Sequence, residues 1–155
     1  MHNESDITEH QRGDFTISTD VGRLDVDYIH DYLARQSYWA KDIPREVVER
    51  SLRQSLCFGL YHGVKQIGLA RVITDYATFG YLADVFVDEA HRGSGLGTWL
   101  IGCVLTHPSL PGLRRIMLIT KDAHALYRKF GFGEVAEPQK LMEIRRPNVY
   151  QKARH

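Results

Sequence analysis

Arg92-Gly93-Ser94-Gly95-Leu96-Gly97 is the stretch whose residue types and spacing point most directly to chemistry. It follows an apolar run, Asp84-Val85-Phe86-Val87-Asp88, that has the β-branched and aromatic content of a mostly buried strand. After it, Leu96, Trp99, Leu100, Cys103 and Val104 fall at the spacing of one helical face. Alternate glycines therefore join a strand to a helix N-terminus. Glycine accepts positive φ and carries no Cβ, so a ligand can approach its backbone, and the first amides of a helix lack internal partners. That combination suits an anion, phosphate above all. The plain alternative is a tight turn, with glycine there for geometry and Arg92 for solubility.

The chain of 155 residues is long enough for one domain, expected over residues 14–146, with a flexible N-terminal tail at 1–13 and a basic C-terminal tail at 147–155. A net charge of +1 gives no ground for nucleic-acid binding, and the apolar run from Trp99 to Leu105 is too short to span a membrane. No targeting segment is visible in the polar N-terminus, so a cytoplasmic location is expected. Cys57 and Cys103 read as small core hydrophobes. The histidines show none of the spacings that announce a metal site, and no metal is predicted.

The elements that must position the loop follow from periodicity. A strand is expected at 14–19, a helix through Leu24, Tyr28, Ile29, Tyr32 and Leu33, and a second helix with Pro44 at its first position. Between them the segment Ser37-Tyr38-Trp39-Ala40 places two large aromatics in a loop, where they either cover a core edge or line a binding site. A hairpin spans Cys57 to Ile73 and a third strand covers Phe79 to Asp88. After the glycine-loop helix come a strand at 115–120, a helix capped by Asp122, and one or two strands over Glu134 to Ile144. The expected fold class is α+β, with a mixed, mostly antiparallel central sheet of six to seven strands and helices on both faces.

The strand, the Arg92 to Gly97 loop and the helix after it resemble the acetyl coenzyme A loop of the GNAT superfamily of N-acetyltransferases. About thirty residues on, Ala123, Leu126, Tyr127, Gly131 and Phe132 resemble that family's A-x-x-L-Y-x-x-x-G-F segment. The tetrad Ser37 to Ala40 is similar to a group of small bacterial members whose acceptors are mostly unassigned. With the element order, the likeness covers roughly residues 14 to 144.

The resemblance implies acetyl coenzyme A as co-substrate, its pyrophosphate on the amides of Arg92, Gly93, Ser94, Gly95, Leu96, Gly97 and Thr98. It implies a splayed strand whose edge at Val85, Phe86 and Val87 pairs with the pantetheine arm, and it implies Tyr127 as general acid toward the sulfur. A phenol near pKa 10 can protonate a thiolate whose conjugate acid is near 8.5. Thr120 stands where the family often has Asn, and its hydroxyl can still bond to the pantetheine.

The implied reaction is direct attack of a small-molecule primary amine on acetyl coenzyme A, an acyl transfer of a group other than amino-acyl. An alkylamine is only about one part in a thousand neutral at pH 7, a handicap of roughly 4 to 5 kcal/mol, so a proton acceptor is needed. Asp84 is the candidate, as base through water or as the anion that holds the ammonium. Its other reading is a strand-end carboxylate paired with Arg71 or Arg92. Tyr38 and Trp39 are the candidate acceptor wall. A monomer or homodimer is expected. Competing readings are a non-catalytic acyl coenzyme A binding or sensing module and an acetyltransferase of protein N-termini or lysines. A nucleotide site fits poorly, since the loop lacks the Lys-Ser/Thr ending of a P-loop.

Overall fold

The computed structural model describes residues 6–151; residues 1–5 and 152–155, which belong to the two predicted tails, lie outside the described residues. The chain divides at Ile119 and Thr120 into two compact units, each described by itself.

The first unit holds β1 (Glu9–Arg12), β2 (Phe15–Ser18), α1 (Val26–Asp31), α2 (Arg45–Arg53), β3 (Leu56–His62), β4 (Lys65–Thr74), β5 (Phe79–Val87), α3 (Leu96–Leu105) and β6 (Arg115–Leu118). The six strands form one sheet in the order β1-β2-β3-β4-β5-β6. Neighbours are antiparallel except β5 and β6, the pair joined through α3. This is the mixed, mostly antiparallel α+β sheet that the element order predicts. Alternation along the strands sends side chains to two faces. On one face Phe58 meets His107, just past α3, edge to face at 5.6 Å. On the other, Phe86 stacks under Tyr32 at 3.7 Å, and the Cys57 thiol donates to the Leu52 carbonyl of α2. Ile29, Val48, Leu60, Ile67, Leu69, Leu100 and Ile101 are fully buried between these layers.

Several expectations are corrected. Residues 9–12 do not fray: they form β1, an exposed edge strand that pairs with β2 across a turn at Gly13, where φ is +59°. Glu-His-Gln-Arg has no apolar alternation, so pairing with a neighbour, not side-chain pattern, makes this strand. Glu9 is tied down by Ser18 Oγ and by Arg23, at 2.8 and 2.9 Å, which hold its carboxyl below the usual carboxylate value. Pro44 is the residue before α2 and not its first helical position.

The second unit contains α4 (His124–Arg128). Its cap is not Asp122. The Thr120 hydroxyl accepts from the Ala123 amide at 3.0 Å and closes the turn ahead of the helix. The strands expected over 134–144 do not form. Among the described residues this stretch holds only a single helical turn, Pro138–Lys140, and Leu141, Met142 and Ile144 are exposed. Pro138 cannot donate to a ladder, and the charged residues around it bury little apolar surface.

Candidate functional site

Strand β5 is built to be open on one side. Its parallel pairing with β6 ends at Leu82 and Leu118, so among the described residues no strand pairs with Ala83 to Val87 on that edge. On its other edge the register with β4 shifts: Arg71 faces Ala83 and Leu69 faces Phe86, leaving Asp84 and Val85 opposite Ala70. Two residues against one is a β-bulge, and it re-aims the strand. Asp84 adopts φ +51° at the bulge, a conformation that Asp tolerates better than most side chains.

The glycine loop follows directly. Asp88 accepts from the Ala90 amide at 3.0 Å and starts one tight helical turn, Glu89–His91. Gly93 and Gly95 then have φ +86° and +80°, and a Cβ on either would meet nothing within 4 Å. Gly95 precedes α3 with no side-chain cap, so the first amides of that helix face the open loop. The Ser94 hydroxyl donates to the His91 carbonyl, and Arg92 folds back, donating through Nε to the Val87 carbonyl at 3.0 Å and through Nη2 to the Tyr32 hydroxyl at 2.9 Å. Those side chains shape the loop. Phe86 lies under the Tyr32 ring, so only its main chain is placed for the open edge.

The aromatic tetrad sits after a π-helical turn, Tyr32–Gln36, an irregularity that recurs at functional sites. Ser37 and Ala40 are buried, and the Ser37 hydroxyl donates to the Leu33 carbonyl at 2.7 Å while accepting from the Ala40 amide. Pinned by that staple, Tyr38 and Trp39 stand edge to face at 5.1 Å, 57% and 42% exposed. The Trp39 indole donates to Asp84 Oδ1 at 2.7 Å, and Arg71 Nε donates to Asp84 Oδ2 at 2.8 Å. Of the two pairings offered for Asp84, the structure has Arg71. Arg71 Nη1 also donates to Ser55 Oγ at 3.0 Å. Burial, and next the nearby Asp84 charge, raise the Tyr81 phenol above its ordinary value. Burial pushes the Cys57 thiol up to about 12, so it is no nucleophile.

The structure thus brings Trp39, Tyr38 and Asp84 together, and joins the β5 edge to the glycine loop. Sequence reasoning noticed Arg71 only as a possible partner, and it missed Ser55, Tyr32 and Tyr81. A lone arginine inside the apolar run Ile67 to Ile73 was the available signal. In the second unit, Tyr127 is buried in α4 with its ring edge-on to Phe132 at 5.8 Å, and Gly131, at φ +95°, turns the chain back. His124 and Arg128 of the same helix are exposed. Among the described residues no helix is long and apolar enough to cross a membrane, and no cluster of three or more His, Cys, Asp or Glu could hold a metal ion.

The sequence model of the acetyltransferase (GNAT) family matches residues 26–132, most of the first unit and the start of the second. The chain belongs to the GNAT family. A provisionally named acetyltransferase of Gibberella zeae is 39% identical over 76% of this chain and 78% of its own length. The crystal structure of a GNAT protein from Xanthomonas campestris, also provisionally named an acetyltransferase, superposes with a TM-score of 0.86 at 48% identity, covering 88% of this chain and 96% of that one. Glucosamine-6-phosphate N-acetyltransferase of Arabidopsis thaliana shares the fold, with a TM-score of 0.58 at 15% identity over 85% of this chain and 97% of its own. GNAT proteins generally use acetyl coenzyme A.

Proposed function

We propose that this GNAT protein transfers the acetyl group of acetyl coenzyme A to a primary amine of a small molecule, by direct attack. The observation that carries this reading is the continuous run from the bulged, unpaired edge of β5 into a loop whose glycines are open, with the Trp39–Asp84–Arg71 network beside the bulge. The residues present fit the co-substrate. The amides from Gly93 to Thr98 would hold its pyrophosphate, and the main chain at Val85 and Val87 would pair with its pantetheine arm as an added strand.

Acetyl coenzyme A held there would supply an activated acetyl group: the acceptor nitrogen, giving up its proton to water, bonds to the carbonyl carbon as the carbon–sulfur bond breaks, giving an N-acetyl product and a free thiol. Backbone N–H groups at the bulge are the candidate donors to the thioester oxygen. Tyr127 is assigned as the acid that gives the departing sulfur its proton, with Thr120 contributing a hydroxyl toward the pantetheine. Asp84 is assigned as an anchoring anion. Each of its oxygens already accepts one bond, yet a carboxylate offers about four acceptor sites, so room remains for one N–H of the acceptor. Tyr38 and Trp39 would form the wall against the acceptor's body.

A second reading, a non-catalytic acyl coenzyme A binding module, draws on the same network, because the bonds from Trp39 and Arg71 to the two oxygens of Asp84 tie it into the structure. Thermal unfolding with acetyl coenzyme A, coenzyme A, NAD and ATP, followed by mass spectrometry of amine mixtures incubated with protein and acetyl coenzyme A, separates the two. Stabilisation by the coenzyme A ligands with an acetylated amine supports transfer, and stabilisation with no acetylated amine supports the module. A shift with NAD or ATP alone contradicts both.

A further inference from the structure

Arg71 is held in an unusual way for a residue in the middle of a sheet. Its side chain is 13% exposed and that of its partner Asp84 is 8% exposed, so both charges are largely removed from water. A guanidinium facing a carboxylate in such a place normally closes a fork, with two parallel N–H···O bonds. Here it does not. Asp84 Oδ1 is taken by the Trp39 indole, so Arg71 meets Asp84 through Nε and Oδ2 alone. The opposite side of the guanidinium is fixed by Ser55, whose own hydroxyl donates to the Ser51 carbonyl at 2.7 Å. These contacts lock the plane of the group and use only Nε and Nη1. No hydrogen bond among the described residues engages Nη2, and Nη2 is not among the sealed, unpartnered side-chain atoms, which are the hydroxyls of Tyr28 and Tyr61 and His91 Nδ1. This held arginine, its side chain 13% exposed, thus keeps one amino group without a hydrogen bond among the described residues, next to an anchored carboxylate and the exposed Tyr38–Trp39 pair.

We propose that the acceptor is an amino acid, its carboxylate taken by Arg71 Nη2, its amine by Asp84 and its side chain by Tyr38 and Trp39. This rests on the acetyl transfer proposed above. Two features favour a zwitterion over other small amines. Arg71 and Asp84 are bonded to each other, so the two recognition heads are adjacent, as the amine and carboxylate of an amino acid are. The pair is also neutral overall. A zwitterion matches it charge for charge, whereas a phosphate dianion would meet the Asp84 charge unpaired and a polyamine would meet Arg71. Trp39 acts in two ways: it offers apolar surface, and by occupying Oδ1 it keeps Asp84 from closing the fork and leaves Nη2 available.

The test compares amino acids with the amines made by removing their carboxylate, for example phenylalanine with phenethylamine and leucine with isopentylamine, in acceptor-dependent thiol release. Calorimetric binding of the N-acetyl form of each, with coenzyme A present, reads recognition without turnover. In the wild type the carboxylate should improve both kcat/KM and affinity by ~10- to 10²-fold, the range of a hydrogen bond to a charged group. Arg71→Lys, which keeps the charge beside Asp84 and loses the fixed planar donors, should shrink that preference, raising KM for the amino acid by a larger factor than KM for the amine. Equal values for acid and amine in the wild type overturn the proposal, as does a preference that survives in Arg71→Lys. Transfer to amines without carboxylate preference overturns this inference and leaves acetyl transfer standing. Carboxylate-selective binding without any transfer keeps the Arg71 carboxylate site but overturns acetyl transfer, and with it the acceptor role.

Discussion

Trp39 and Asp84 lie 45 residues apart in the chain and are joined by a 2.7 Å bond from the indole N–H to a carboxylate oxygen. One residue comes from a loop after a π-helical turn, the other from a β-bulge at φ +51°. Neither irregularity is needed to build the sheet. Their meeting turns two local departures from regular structure into one wall of the candidate site.

Trp39→Phe keeps the apolar body and deletes the N–H. The acceptor KM should rise ~10-fold and folding stability should fall by about 2 kcal/mol, the worth of a hydrogen bond to a charged group. Affinity for acetyl coenzyme A should stay unchanged. Steady-state kinetics and urea unfolding check both halves.

Asp84→Asn leaves the Arg71 charge largely buried without its partner, which should cost about 3 kcal/mol in urea unfolding. Asp84→Ala should cost about 1 kcal/mol more, because Asn tolerates the left-handed backbone at this position and Ala does not. Equal stabilities for the two variants would remove the backbone part of this account.

Gly95→Ala should lose about 1 kcal/mol of stability, since φ there is +80°, and should also weaken acetyl coenzyme A binding because the methyl group projects into the open loop. Gly13→Ala is the control. Its φ is +59° and its surroundings are equally open, but it lies in the β1–β2 turn. It should show a similar stability loss with cofactor affinity intact, measured by calorimetry.

Burial lowers the His107 imidazole below its ordinary value of about 6.5, and its Nδ1 accepts the Ser109 amide at 3.1 Å, a bond that requires Nδ1 without a proton. The unfolded chain therefore binds this proton more readily than the folded one, so stability rises with pH. The sign is fixed: the His107 contribution is present above pH 6.5 and is lost as pH falls below it toward the folded value. His107→Gln should flatten that part of the slope in unfolding midpoints taken between pH 7 and 5.

Much of this was legible in the sequence because the patterns are local. The helical spacing from Leu96 to Val104 and the glycines before it place α3 and its loop, and the β-branched run at Val85 to Val87 places β5. What escaped depends on distant partners. Glu9 to Arg12 becomes a strand only because β2 offers an edge, and Glu134 to Ile144 fails to become strands although its apolar residues alternate in part. The bulge at Asp84 arises from a register shift against β4, and the single bond between Arg71 and Asp84 goes with the Trp39 bond to the other carboxylate oxygen. No window of sequence contains either event.

Tyr127→Phe preserves the buried ring beside Phe132 and removes the hydroxyl. If Tyr127 supplies the sulfur's proton, kcat should fall by ~10²-fold or more while acetyl coenzyme A binds as before. An unchanged kcat would take Tyr127 out of that role.

The central claim is acetyl transfer to a small amine, and acceptor-dependent release of free thiol from acetyl coenzyme A tests it most directly. Wild-type protein should release thiol in a saturable way as amine is added, with one N-acetyl product formed per thiol. Saturable binding of acetyl coenzyme A with no acceptor-dependent thiol across amino acids and other small amines would contradict it.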